Sequence, residues 1–425
     1  MLIKLIPVVL VCCSLLMITA CKEEPGGSLS DDGIINGDIT VITDRTDVTD
    51  TWFEDYRARF NQKYPDVNVK FEALSDYEGM MRLRMNANEY GDVLFIPRNI
   101  KTADLPDFFE PLGETTKLEK TYYHAEDHSC NGLTYGIPFS IAIPGIVYNK
   151  EVFSSAGLSS VSIEPDRFLD EMNKIKKSTH AIPYSTNYSN GWTLLNWEFH
   201  AMALSKQPDY YSVTMPDSDS PFSPGTPYYE TYKLLYELAR QGLIEKDPMT
   251  DQSGMGELAH GNVGAMHLDS SGLAYIRSIA PKAGDIGFLP FSFEVNGKNI
   301  PLSYGGYSVA INKHSSNKDA ARAWLDWFLN ESGYYKTADG ISSVKTADWP
   351  AALSDLRNFE LDESSSGVTS PAKKSVEQID SDGMVGMWLP DYKREIILSG
   401  TGVNSKSFDD IMEELNKKWR NGRSK

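Results

Sequence analysis

Residues 184–197 read Tyr-Ser-Thr-Asn-Tyr-Ser-Asn-Gly-Trp-Thr-Leu-Leu-Asn-Trp, a stretch in which rings alternate with amides and hydroxyls. Flat rings pack on the apolar face of a ligand, and planar amides donate and accept hydrogen bonds in one plane. The chemistry on offer is stacking and hydrogen bonding, not nucleophilic attack. Tyr184, at the end of the strand-like run Ala181-Ile-Pro-Tyr184, and Trp192, beside Gly191 in a loop, are the candidates. Trp197 falls with Leu194, Leu195 and Phe199 in a helical stretch and reads as core.

Signatures of catalysis are missing. The chain has no Gly-x-Ser-x-Gly elbow, no His-Glu-x-x-His and no phosphate-cradling Gly-Lys-Ser/Thr. His124-Ala-Glu-Asp-His128 with Cys130 offers ligand-type side chains, but in a polar connection before the Asn131-Gly132 turn. It reads as a solvated loop, and neither a metal nor a cofactor is expected.

The elements that must position these groups alternate. Ile39-Thr-Val-Ile42 is β-branched, Trp52, Phe53, Tyr56 and Phe60 recur at helical spacing, and Val67, Val69 and Phe71 alternate. A helix-like stretch over 77–88 precedes the apolar strand Asp92-Val-Leu-Phe-Ile96. Such a β-α-β-α-β run makes a parallel, doubly wound unit. Helices are expected from Pro165 and over 229–241, with strands at 263–266, 286–291 and 307–311. Ser316-Asn-Lys-Asp319 has capping-box chemistry ahead of the Trp324 helix, and Ser407 with Asp410 opens the last one.

Composition sets the frame. With 425 residues, 41% hydrophobic and 11% aromatic, the chain has core material for two ordinary domains or one large one. A formal charge of -18 excludes nucleic acid and anionic bilayer surfaces as favoured partners. Residues 1–20 carry Lys4, an apolar run and then Ile18-Thr-Ala before Cys21, which reads as an export signal. The tetrapeptide resembles a bacterial lipobox, implying a lipid on Cys21 and a membrane tether over 21–38; ordinary secretion is the alternative. Cys12 and Cys13 leave with the signal, so Cys130 stands alone and no disulfide is expected.

An ordered set of segments then resembles the extracellular solute-binding proteins of ABC importers, specifically the carbohydrate-binding group related to maltose-binding protein. These are 39–42, Lys63-Tyr-Pro-Asp-Val-Asn-Val-Lys70, Tyr90-Gly-Asp-Val-Leu-Phe-Ile96, Leu133-Thr-Tyr-Gly-Ile-Pro-Phe139, Gly145-Ile-Val-Tyr-Asn-Lys150, Gly261-Asn-Val-Gly-Ala-Met266, 303–312 and the helix over 407–419. The resemblance implies a two-lobe α/β fold of the type II periplasmic-binding-protein kind, with a ligand cleft between lobes joined by a multi-strand hinge. One lobe would comprise 39–140 and about 290–335, the other about 141–289 and 336–425. The first crossing is expected at 137–145, where Pro138, Pro144 and Gly145 suit a hinge.

In open parallel sheets ligands meet the loops at the carboxyl ends of strands. The resemblance therefore implies a ligand-facing role for Asp44 and Arg45 after the first strand and Arg98 after the third; surface charge is the competing reading. After Met266 the family commonly places a small residue and a stacking Trp, whereas this chain has His267 followed by Leu268, Asp269 and Ser270. That departure weighs against maltodextrin-type stacking here and leaves Asp269 and Ser270 to hydrogen-bond, or merely to shape a turn. Tyr304-Gly-Gly-Tyr307 puts two tyrosines around glycines that allow close approach, and Trp388 lies where the family carries cleft aromatics.

The expected protein is an exported, lipid-anchored monomer on the outer face of the cytoplasmic membrane. It captures a carbohydrate, by the number of aromatics an oligosaccharide, and hands it to the transmembrane subunits of an ABC permease, without catalysis of its own. An exported glycan-active hydrolase and a sugar-binding sensor component are the rival classes. Acidic residues are numerous enough to imitate a glycosidase pair.

Overall fold

The computed structural model describes residues 34–46, 51–98, 100–251, 254–337, 340–359, 361 and 374–425. The expected signal, Cys21 and most of the tether lie outside the described residues. Two α/β lobes face each other across a three-stranded connection.

The first lobe is built on a seven-stranded sheet whose core order is Val67–Ala73, Gly37–Thr43, Val93–Phe95, Ser308–Ile311, Leu133–Pro138 and Gly113–Glu114, with His128–Cys130 pairing Leu133–Pro138. The first three strands are parallel and Ser308–Ile311 runs against them. The opening strand begins at Gly37, earlier than its β-branched run suggests, because Gly37 and Asp38 pair with Val67 and Asn68. One face is covered by helices Trp52–Lys63 and Lys318–Asn330, whose rings interlock: Phe60 meets Trp324 at 4.9 Å and Trp327 at 5.6 Å. Removing the fully buried Trp324 ring would cost about 3–5 kcal/mol. The capping box expected at Ser316–Asp319 does not form. Asn317 is the cap residue, and its side-chain amide donates instead to the Asp38 carbonyl at 2.8 Å. Ser407 and Asp410 do form one at the start of Phe408–Ser424.

The second lobe carries a four-stranded sheet ordered Ile286–Pro290, Pro144–Asn149, Val263–Asp269 and Ile182–Tyr184. Its two faces support separate apolar clusters. One gathers Phe168, Tyr184, Trp197, Tyr232, Ile396 and Trp419; the other gathers Val147, Met266, Leu273 and Leu353. Gly145 is needed where it stands, since a Cβ there would come within 2.4 Å of the Leu289 carbonyl on the neighbouring strand.

Between the lobes, Ser140–Ala142 pairs antiparallel with Tyr304–Gly305 on one side and Ile341–Ser342 on the other. Leu133–Pro138 belongs to the first sheet and Pro144–Asn149 to the second, so the chain crosses here. Ser308–Ile311, just beyond Tyr304–Gly305, returns to the first sheet. Tyr334 packs in the first lobe and Leu353 in the second, on either side of Ile341–Ser342. Short paired strands at each crossing bend as a unit and so act as a hinge. Among the described residues no helix is long and apolar enough to cross a membrane.

Candidate ligand site at the lobe junction

Parallel strands of the first lobe end at the junction, and polar side chains follow the first and third of them. Asp44 follows Gly37–Thr43, half-buried, with the Arg45 amide donating to Thr43 Oγ1 at 3.1 Å. Burial raises the Asp44 carboxyl above its usual range, against the pull of its own backbone hydrogen bond, Arg45, Thr43 and Arg98. The Arg45 guanidinium lies 5.5 Å from the Trp52 ring. Arg98, exposed beyond Val93–Phe95, places its guanidinium 4.9 Å over the Tyr307 ring. The Tyr307 hydroxyl donates to Glu78 Oε1 at 2.9 Å, and the Glu78 carboxylate also accepts the Arg98 amide at 3.1 Å. Tyr307 stacks on Phe95 at 5.7 Å, which anchors this polar rim to the sheet.

Tyr304, on the hinge strand, connects the rim to the second lobe. Its hydroxyl donates to Asp269 Oδ2 at 2.5 Å, and its ring stacks on Phe199 at 5.0 Å with 13° between planes. Burial, then the adjacent carboxylate, push the Tyr304 phenol well above its usual range, so it stays a donor. Asp269 is fixed by a second duty. As the cap of helix Ser270–Ile279 its Oδ1 accepts the amides of Ser271 and Gly272, each at 3.0 Å. Phe199 meets Trp388 at 5.3 Å, and the Trp388 indole donates to the Tyr211 hydroxyl at 3.1 Å. The arrangement is an aromatic wall of Tyr304, Phe199 and Trp388 facing a rim of carboxylates and guanidinium groups.

The sequence candidates Asp44, Arg98, Asp269, Tyr304, Tyr307 and Trp388 belong to this connected group, with Arg45 beside Asp44. Three do not. Tyr184 is 1% exposed in the core of the second lobe, because it pairs with Ala265 at a strand end and turns its side chain inward. Its hydroxyl meets His267 Nδ1 at 2.8 Å, so the stacking role is corrected to a core role. Ser270 is corrected likewise: it is fully buried, and its Oγ accepts the Ile143 amide at 3.1 Å, bracing the hinge. Trp192 is 46% exposed, and Gly191 before it has φ +77 with Arg394 packed where a Cβ would sit. Among the described residues no ring or hydrogen-bond contact joins Trp192 to the wall.

Glu78, Phe199 and Tyr211 were not picked out by sequence. Glu78 and Phe199 lie inside helices Tyr77–Asn86 and Asn196–Leu204, and Tyr211 in the helical turn Tyr210–Thr214. The only signal for Phe199 was its place on the helix of Trp197. His267 is buried in a chain of its own. Its Nε2 lies 2.8 Å from His200 Nδ1, whose Nε2 lies 2.8 Å from the Ile163 carbonyl, and Trp197 stacks on it at 4.3 Å. With His200 donating to the carbonyl, His267 donates to His200 and accepts from Tyr184. Burial pushes His200 down to about 4 and holds His267 well below its ordinary range, so both imidazoles are neutral.

His124 also departs from expectation. It is buried, not solvated, with Nδ1 3.3 Å from Asp127 and Nε2 2.9 Å from Ser303 Oγ at the approach to the hinge. Its ring, Glu126 and Asp127 offer ligand atoms within 4.8 Å of one another, but both imidazole nitrogens already have protein partners. A concavity of about 540 Å³ on the second lobe is lined by Glu164, Asp166, Thr226 and Glu230 at helix starts and holds none of the junction residues.

Residues 44–335 match the family model described as bacterial extracellular solute-binding protein. The chain belongs to that family. It is 24% identical over 372 residues to the diacetylchitobiose binding protein DasA of Streptomyces coelicolor, covering 81% of this chain and 82% of that protein. It is 22% identical over 293 residues to the multiple sugar-binding protein of Streptococcus mutans, covering 66% and 68%. Among solved structures, a manno-oligosaccharide-specific solute-binding protein of Bifidobacterium animalis subsp. lactis, in complex with mannotriose, superposes with TM-score 0.76 at 28% identity, covering 92% of this chain and 95% of that one. The Streptococcus pneumoniae protein RafE superposes with TM-score 0.69 at 18% identity, covering 94% and 99%. That likeness speaks for the two-lobe fold. Family and neighbours are binding proteins.

Proposed function

We propose that this chain is the extracellular binding component of an ABC importer and captures an oligosaccharide at the lobe junction. The observation that carries the reading is the aromatic wall, with Tyr304 and Phe199 nearly parallel, set against the polar rim of Asp44, Glu78, Arg98 and Asp269. Pyranose faces stack on such rings, while their hydroxyls need the carboxylate and guanidinium groups around the edge. Tyr304 stands on the hinge, so a ligand packed on it touches the element that bends, and contacts to both lobes favour the closed form. The closed form is what the permease subunits would recognise, with ATP hydrolysis left to another subunit and no bond broken in this chain. A lipid on Cys21 would keep the monomer at the membrane surface. The relatives' ligands, diacetylchitobiose and manno-oligosaccharides, set the first candidates.

A thermal-shift screen of a 34–425 fragment with mannotriose, diacetylchitobiose, raffinose and amino-acid controls tests this. A glycan at ~100 times its Kd adds about 2.7 kcal/mol to stability. A shift with one glycan class, returned intact after incubation, supports capture. A shift only with an amino acid overturns the carbohydrate assignment, and breakdown of the glycan overturns the binding-only role.

A further inference from the structure

Glu198 and Lys393 form an ion pair inside the second lobe, Nζ to Oε1 at 2.7 Å, with neither side chain exposed at all. Enclosing two charges costs desolvation that their attraction rarely exceeds, so such a pair is a poor device for stability alone. Here Glu198 Oε2 is also buried without a hydrogen-bond partner.

The bonds leading out of the pair converge on the aromatic wall. Lys393 Nζ donates to the carbonyls of Met387 and, at 3.1 Å, Leu389, the residues on either side of Trp388. The same turn is held through its amides: Asp380 Oδ1 accepts from Gly386 at 2.8 Å and Met387 at 3.0 Å. An ammonium thus grips the turn by its carbonyls and a carboxylate by its amides. Glu198 is the neighbour of Phe199 on helix Asn196–Leu204, and its Oε1 also accepts the hydroxyls of Tyr232 at 2.6 Å and Tyr392 at 2.7 Å. One ion pair therefore joins the backbone that carries Phe199 to the turn that carries Trp388.

We propose that Lys393, anchored by Glu198, is a positioning residue that sets Trp388 against Phe199 as one wall for a sugar ring. This rests on reading that wall as part of the glycan site. The apolar alternative of equal volume would fill the same space but would leave the carbonyls of Met387 and Leu389 without a donor and the turn free to shift.

The test uses Lys393→Met combined with Glu198→Gln, which removes both charges and keeps the volume; Lys393→Met alone strands a buried carboxylate and serves only as a folding control. The first readout is the ¹⁹F spectrum of protein labelled with 5-fluorotryptophan, with the Trp388 line assigned by its loss in Trp388→Phe. The Trp388 line is expected to move or broaden while those of Trp324 and Trp327 in the other lobe stay in place. The second readout is mannotriose affinity by calorimetry. The double variant is expected to bind about 10-fold more weakly, and to cause no further loss once Trp388 is already Ala. An unmoved Trp388 line in the folded double variant overturns the proposal, as does an equal loss of affinity in the Trp388→Ala background. A moved Trp388 line with mannotriose affinity untouched by Trp388→Ala would sustain the positioning role and remove Trp388 from the glycan site.

Discussion

The two halves of the junction are built on different physics. The first lobe contributes charged and polar groups, Asp44, Arg45, Glu78 and Arg98, mostly on short loops off strand ends and half-buried except for the exposed Arg98. The second contributes rings, Phe199 and Trp388, backed by buried polar chains: Lys393 with Glu198 behind Trp388, and His200, on the same helix as Phe199, with His267 in the core. Tyr304 belongs to the hinge: it meets Phe199 and Asp269 of the second lobe and feels the charge of Arg98 on the first. The difference teaches that the rim can change its charges cheaply, whereas the wall is tied to the stability of its lobe. Substitutions on the two sides should separate accordingly.

The largest loss is expected at the seam. Tyr304→Ala removes the ring stacked on Phe199 and leaves Asp269 Oδ2 without its donor. Glycan affinity should fall by about 2–4 kcal/mol in calorimetry, with a smaller change in Tm. A loss confined to Tm would return Tyr304 to a packing role.

The histidine chain gives the next effect, on stability alone. Burial holds His200 near 4 against an ordinary 6.5, so unfolding takes up a proton between those values. Its contribution is whole above pH 6.5, is lost as the pH falls to about 4, and amounts to about 3 kcal/mol. Denaturant unfolding of His200→Gln beside the parent should show the parent's advantage narrowing across that window. An advantage that stays constant with pH would contradict the neutral pair.

On the rim, Asp44→Asn keeps the shape and removes the charge that faces Arg98. Affinity should drop by about 1–2 kcal/mol with little change in Tm, as expected for a group that spends its charge on ligand. Equal effects of Asp44→Asn and Tyr304→Ala on Tm would erase the distinction between rim and wall. Smallest of all, Trp192→Ala should change affinity by less than about 0.5 kcal/mol, because Trp192 stands apart from the wall. A tenfold loss there would extend the wall around the second lobe.

How far sequence reached follows the same division. Asp44 and Arg98 stood out because a β-branched run and an apolar run mark the strands before them, and the resemblance implies that the loops after those strands face the ligand. Tyr304 and Tyr307 were legible because a glycine pair between tyrosines signals close approach. Tyr184 and Ser270 were read as strand-end groups of the same kind, yet they sit where the strand meets packed helices, and local pattern carries no record of what packs above. Phe199 was hidden because a ring inside an apolar helix reads as core until the hinge brings Tyr304 onto it. Glu198 and Lys393 are 195 positions apart in sequence, and no local spacing announces that they meet.

The central claim is that one glycan is held by rim and wall together. The most direct measurement is amide hydrogen exchange by mass spectrometry on the 34–425 fragment, with and without the glycan that gives the largest thermal shift. The account predicts added protection in peptides spanning 93–98 and 385–389 at once. Protection confined to one lobe, or lodged around 164–166 and 226–230 at the outer concavity, would contradict it.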